Sequence, residues 1–225
     1  MSSALPPPRL SRATATYLLI AVSAVVFAYE LALGREAGAL VEHWGMIGRR
    51  LTERGALPPP LALLTLFSAT FLHVGAVHLL ANMVYLWIFG QWVEPLLGSG
   101  RFLALYLLGG AAAAATLLAV TGGSAAVAIG SSGAVAAVLG AYLALHPYLV
   151  VVPLAPRAVR SVWDAVPVML LLLWLAGQLL ASLGVLTSGT MGMTGGALWA
   201  HLGGFAAGLL LGPLLRGWQR RLFGA

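Results

Sequence analysis

The chain has 225 residues, of which 60% are hydrophobic and only 8% charged, with a formal net charge of +6 and a mean hydropathy of +0.96. Soluble domains carry about 25% charged residues, so this composition excludes one and defines an integral membrane protein. All twelve basic residues are arginines scattered over chain ends and loops, which leaves no basic face for nucleic acid. The absence of cysteine excludes disulfides and thiolate metal sites.

Apolar runs long enough to cross a bilayer predict six helices, at about 13–33, 75–93, 102–121, 132–147, 165–186 and 197–215. The first follows Arg9 and Arg12 but is too long for a signal-peptide core and lacks a small-residue cleavage site, so it is expected to remain as a helix. A long loop joins it to the second and alternates charge with tryptophan and apolar runs, the pattern of an amphipathic element lying in the interface. The fourth run is short. From Ser132 to His146 a helix would be about 22 Å long against a hydrocarbon core of about 30 Å, so one end stops inside the membrane.

Arginine placement orients the bundle. With a cytoplasmic amino terminus, Arg9, Arg12, Arg101, Arg157, Arg160, Arg216, Arg220 and Arg221 fall inside. Only Arg35, Arg49, Arg50 and Arg54 of the long loop fall outside, where the positive-inside rule is weak. The expected organisation is a cytoplasmic tail at 1–12, a membrane domain at 13–215 and a second cytoplasmic tail at 216–225. Ser132 then opens the fourth helix at its outer end, below the uncharged loops "TGGSAAVAIGS" and "TSGTMGMTGG".

Three polar constellations converge on that outer half. Gly130-Ser131-Ser132-Gly133 sits at a helix amino terminus, where free backbone N–H groups and the positive dipole end favour an oxyanion. Alone it reads as an N-cap, with the Ser131 oxygen accepting from an N–H two or three residues on. His78 and Asn82 are four apart and share a face of the second helix; alone they read as an interhelical hydrogen-bonding pair. His201 lies on the sixth helix above Gly204, Gly208 and Gly212, a repeat of four that permits close packing. Together they supply a serine, a base to take its proton and donors for an oxyanion. None of the six acidic residues falls beside Ser132 or His201 on their helices, so the chemistry is that of a dyad.

The order His73, His78, Asn82, then "FGQWVEPLLGSGRF", then Gly130 to Gly133, then Ala200, His201, Gly204 and Gly208 resembles the rhomboid family of intramembrane serine proteases, bacterial type. The resemblance implies an all-α, six-helix transmembrane bundle with an interfacial first loop. It implies Ser132 as nucleophile, His201 as general base, and His78 and Asn82 at the oxyanion, with Gly130, Gly133, Gly204 and Gly208 serving helix packing. Hydrolysis of a peptide bond in or near the membrane-spanning segment of single-span or other transmembrane substrates follows, without metal or cofactor, in a multi-pass protein of the bacterial inner membrane. Two departures stand out. The first loop has "HWGMIGRR" in place of a Trp-Arg pair, and Ala136 stands where some relatives have a tyrosine against the histidine.

Other classes fit less well. A catalytically inactive rhomboid-like protein binding membrane clients is the alternative reading, although both dyad residues are present. A transporter would call for paired discontinuous helices or an ionisable path across the membrane, whereas the polar residues here collect on one side.

Overall fold

In the computed structural model, residues 13–53, 58–123, 127–146, 162–188 and 193–223 are described. The expected tail at 1–12, the loop carrying Arg157 and Arg160, and residues 189–192 of the "TSGTMGMTGG" loop lie outside them.

The protein is an all-α membrane bundle. Its helices are α1 (Thr14–Leu33), α2 (Ala37–Trp44), α3 (Gly48–Thr52), α4 (Pro59–Ser68), α5 (Ala76–Leu97), α6 (Ser99–Thr121), α7 (Ser132–Leu145), α8 (Val162–Ser188) and α9 (Met193–Phe223). Five segments are long and apolar enough to cross a membrane: Thr14–Trp44, Ala76–Leu97, Ser99–Thr121, Ala165–Leu183 and Gly196–Gly217. The sixth expected crossing, α7, has 14 residues, about 21 Å at the helical rise. Of the six expected crossings, five are therefore matched by full-length candidates and the sixth by the short α7. α9 runs on to Phe223, so Arg216 sits within a helix.

Helix boundaries follow from local chemistry. One residue, Gly98 at φ 77°, separates α5 from α6, a left-handed conformation that glycine adopts without the Cβ penalty. Glu94, fully buried on α5, accepts from the backbone N–H groups of Ala15 and Thr16 at 2.8 Å, from Thr16 Oγ1 at 2.7 Å and from Ser99 Oγ at 2.6 Å. The amino terminus of α1 is thus capped by a carboxylate from another helix, satisfying N–H groups that have no partner of their own.

α7 is the axis of the bundle. Its residues from Gly133 to Tyr142 are all buried, as expected of a helix apolar on every side. It lies against α9, α6 and α5. The contact with α9 is backbone on backbone: a Cβ on Gly204 would strike the Gly133 carbonyl, one on Gly208 the Ala137 carbonyl, and one on Gly140 the Phe205 carbonyl. At Gly212 the nearest atom, Ala141 Cα, is 3.0 Å away. In lipid, where apolar side chains gain nothing by leaving solvent, such close approach is what holds two helices together.

The long first loop is structured. It holds α2, α3 and α4 and a two-residue strand, β1 (Met46–Ile47), that pairs antiparallel with β2 (Val127–Ala128) in the segment leading to α7. The Gly130 N–H then donates to the Ala69 carbonyl at 2.9 Å. Two attachments therefore fix the approach of the chain to Ser131 and Ser132, a small β element that the apolar pattern does not announce.

Candidate active site

Ser132 is the first residue of α7 and is half-buried. The first intrahelical bond runs from the Val135 N–H to the Ser131 carbonyl at 2.8 Å, so the N–H groups of the first turn, Ser132 included, have no helical acceptor. Gly130, at φ 119°, brings the backbone under the His78 ring: a Cβ there would lie 2.7 Å from His78 Cε1. Asn82, one turn further along α5, is buried with its Nδ2 donor unpartnered among the described residues. A buried orphan donor is rare and calls for an explanation.

The expected cap is not formed. Ser131 has helical backbone angles, φ −77° and ψ −4°, and makes no side-chain cap; capping requires an extended residue there. Its hydroxyl turns instead to His73 Nε2 at 3.2 Å. His73 Nδ1 lies 3.2 Å from the Phe71 carbonyl, an obligatory acceptor, so the proton resides on Nδ1 and the serine donates to Nε2. The His73 backbone N–H donates in turn to the Glu30 carboxylate of α1 at 3.2 and 3.3 Å, and its ring packs edge-on against His78 at 5.3 Å. The buried Tyr106 phenol of α6 faces the same serine, with no hydrogen bond of ordinary length to its oxygen among the described residues. From the sequence His73 is a structural residue or else a third oxyanion-side group; the polar chain from α1 to the residue beside Ser132 emerges only in the fold.

His201 stands on α9 three residues before Gly204, whose backbone touches Gly133. The two elements carrying Ser132 and His201 are thus in direct contact. No hydrogen bond joins the two side chains among the described residues, contrary to the preformed contact the helix crossing suggests. The His201 ring is held by α8: Nδ1 is 3.1 Å from Gln178 Oε1, and Trp174 lies against it at 6.1 Å and 50°. Catalytic hydrogen bonds are often loose without substrate.

A cavity of about 430 Å³ adjoins Ser132, bounded by Met46 and Thr70 of the first loop, Ala113 and Leu117 of α6, Ile129, and Ala200 of α9. It is mainly apolar, unlike the polar water path that hydrolysis leads one to expect, and neither His78 nor His201 lines it. Among the described residues no group of three or more metal-capable side chains is found.

A short, largely buried helix opening on a half-exposed serine, crossed glycine to glycine by a histidine-bearing helix, defines a polytopic membrane protein with a polar site set within its bundle. The chain belongs to the rhomboid family: the model of the Rhomboid domain matches residues 60–218. It is similar to RHOMBOID-like protein 5 of Arabidopsis thaliana, 34% identical over 99 residues, 44% of this chain and 30% of the relative. It is also similar to Rhomboid protease GluP of Bacillus subtilis (strain 168), 38% identical over 78 residues, 35% of this chain and 15% of the relative. A third relative is Presenilin-associated rhomboid-like protein A, mitochondrial, of Danio rerio, 34% identical over 75 residues, 32% of this chain and 20% of the relative. The matched stretches therefore span less than a third of each of these curated relatives.

Proposed function

We propose that this protein is an intramembrane serine endopeptidase, cleaving transmembrane proteins in or near their membrane-spanning segment. Ser132 attacks the scissile carbonyl while its proton passes to His201 Nε2. The oxyanion is met by the free Ser132 N–H, Asn82 Nδ2 and His78, donors that strengthen as charge develops. The tetrahedral intermediate collapses as His201 returns the proton to the leaving amine, and water, activated by the same base, hydrolyses the acyl-enzyme. The observation that carries this reading is the orphaned Asn82 donor on the α5 face of His78, whose ring lies over Gly130 beside Ser132. Buried donors without acceptors suit a site whose acceptor arrives only in the transition state. Similarity to a relative named as a rhomboid protease supports the same reaction.

The arginine distribution supports an orientation with both termini cytoplasmic, and the bacterial inner membrane is the compartment proposed. A second reading is a rhomboid-like protein that binds membrane clients without cleaving them, and the missing Ser132–His201 hydrogen bond favours it. Reconstitution in liposomes with several single-span substrates separates the two. Cleavage by the wild type and none by Ser132→Ala is the expected result; client binding without cleavage by the wild type would establish the second reading.

A further inference from the structure

The pairing of α8 with α9 near His201 has a simple register. Trp174 stacks on Phe205, ring centroids 5.4 Å apart and 25° between planes, and four residues further along α8, Gln178 meets His201, four residues back on α9. The helices run antiparallel here with two matched contacts at successive turns. Leucine is the commonest residue of α8, and Leu172, Leu173, Leu179 and Leu180 are exposed. A glutamine amide in such a helix needs a partner, since lipid offers none. The amide could have met any backbone carbonyl; it meets an imidazole nitrogen.

We propose that Gln178 is a positioning residue for the base: its Oε1 accepts the His201 Nδ1–H and so holds the ring in the tautomer whose Nε2 is free to take a proton. This rests on the assignment of His201 as the base of Ser132. An imidazole can accept through Nε2 only when the single proton of its neutral form is on Nδ1, and an oxygen acceptor at Nδ1 selects that form. The sequence has no acidic residue to do so beside His201, and the amide oxygen takes that place. The opposite amide orientation would donate to Nδ1, put the proton on Nε2 and leave His201 unable to act as base, so the two possibilities differ in tautomer. Because Trp174 and Gln178 both come from α8, the orientation of the base also depends on where that helix sits.

The test is a tautomer measurement joined to a reactivity measurement. In protein labelled with ¹⁵N-imidazole and reconstituted in bilayers, the His201 signals are identified by their loss in His201→Ala. The expected spectrum has the proton on Nδ1 in the wild type and in Gln178→Glu, which keeps an acceptor, and a changed tautomer balance in Gln178→Leu. A wild-type ring protonated on Nε2, or an unchanged Nδ1–H in Gln178→Leu, overturns the proposal whether or not the protein is a protease. Reaction with a small alkyl fluorophosphonate, in which the Ser132 oxygen displaces fluoride and Nε2 takes the proton, should slow about 10-fold or more in Gln178→Leu. Gln178→Glu should recover most of that rate. With a transmembrane substrate the loss should fall on kcat, with KM within about twofold of wild type. A Gln178→Leu protein that melts like the wild type yet reacts at the wild-type rate also overturns the proposal. A wild type with no labelling at all refutes the serine-hydrolase reading, and the tautomer result then decides the role of Gln178 alone.

Discussion

The Ser131 hydroxyl donates to His73 Nε2 at 3.2 Å, tying the residue before Ser132 to a loop that is itself held by Glu30 of α1. Adjacent serines thus have separate tasks, one anchoring and one exposed to the site. Ser131→Ala leaves a buried ring nitrogen unpaired and should cost about 1–3 kcal/mol of stability, read as a lowered melting temperature in detergent, with cleavage reduced but measurable. Ser132→Ala should melt as the wild type and cleave nothing. A dead Ser131→Ala beside an active Ser132→Ala would reverse the assignment.

The glycine crossing gives a packing prediction. At Gly204 a side chain would be driven into the Gly133 carbonyl, and backbone cannot yield as a flexible side chain does. Gly204→Leu should destabilise by at least the about 1–3 kcal/mol usual for overpacking and abolish cleavage by parting α7 from α9. Gly217→Ala is the control: nothing lies within 4 Å of a Cβ there, so stability should be unchanged or rise by up to about 1 kcal/mol. Equal melting temperatures for the two variants would remove the packing argument.

Glu94 carries a third. Its buried carboxylate accepts three hydrogen bonds from the first turn of α1 and one from the more exposed Ser99. Glu94→Ala strands those donors and should cost about 3 kcal/mol or more. Thr16→Val removes one of the four bonds and should cost about 1 kcal/mol. Thermal melts of the two variants should fall in that order, and similar melts would mean that α1 is held elsewhere.

His73 supplies a pH dependence. Burial, opposed in part by the Phe71 carbonyl, lowers its ring from an ordinary value of 6.5 to about 4. The unfolded chain therefore takes up a proton over a range in which the folded chain resists it. The stability this represents is complete above pH 6.5 and declines as pH falls toward about 4. Melting temperatures of the wild type should drop across that window, and those of His73→Gln should drop less. Parallel curves would exclude His73 as the source.

Much of the architecture follows from composition and apolar periodicity. In lipid every backbone group must be paired within the protein, and apolar runs of about 20 residues do so as helices, while Gly98 and Gly122 stop α5 and α6 with the positive φ that glycine allows. Gly130 to Gly133, His78 with Asn82, and His201 above its glycines could be picked out because each group is bound together by neighbours in sequence. The tertiary structure alone decided which side chains meet. A local capping rule assigned the Ser131 hydroxyl to its own helix, but a histidine 58 positions away claimed it. Nothing in a leucine run foretold that Gln178 would face His201 across 23 positions, although Trp174 and Gln178 four apart mark one face of α8. Nor did the sequence fix the distance between Ser132 and His201. Hydrophobicity and helical period act over a few residues and say where helices are, whereas a hydrogen bond between helices depends on the register and rotation of each, which are set by the packing of the whole bundle.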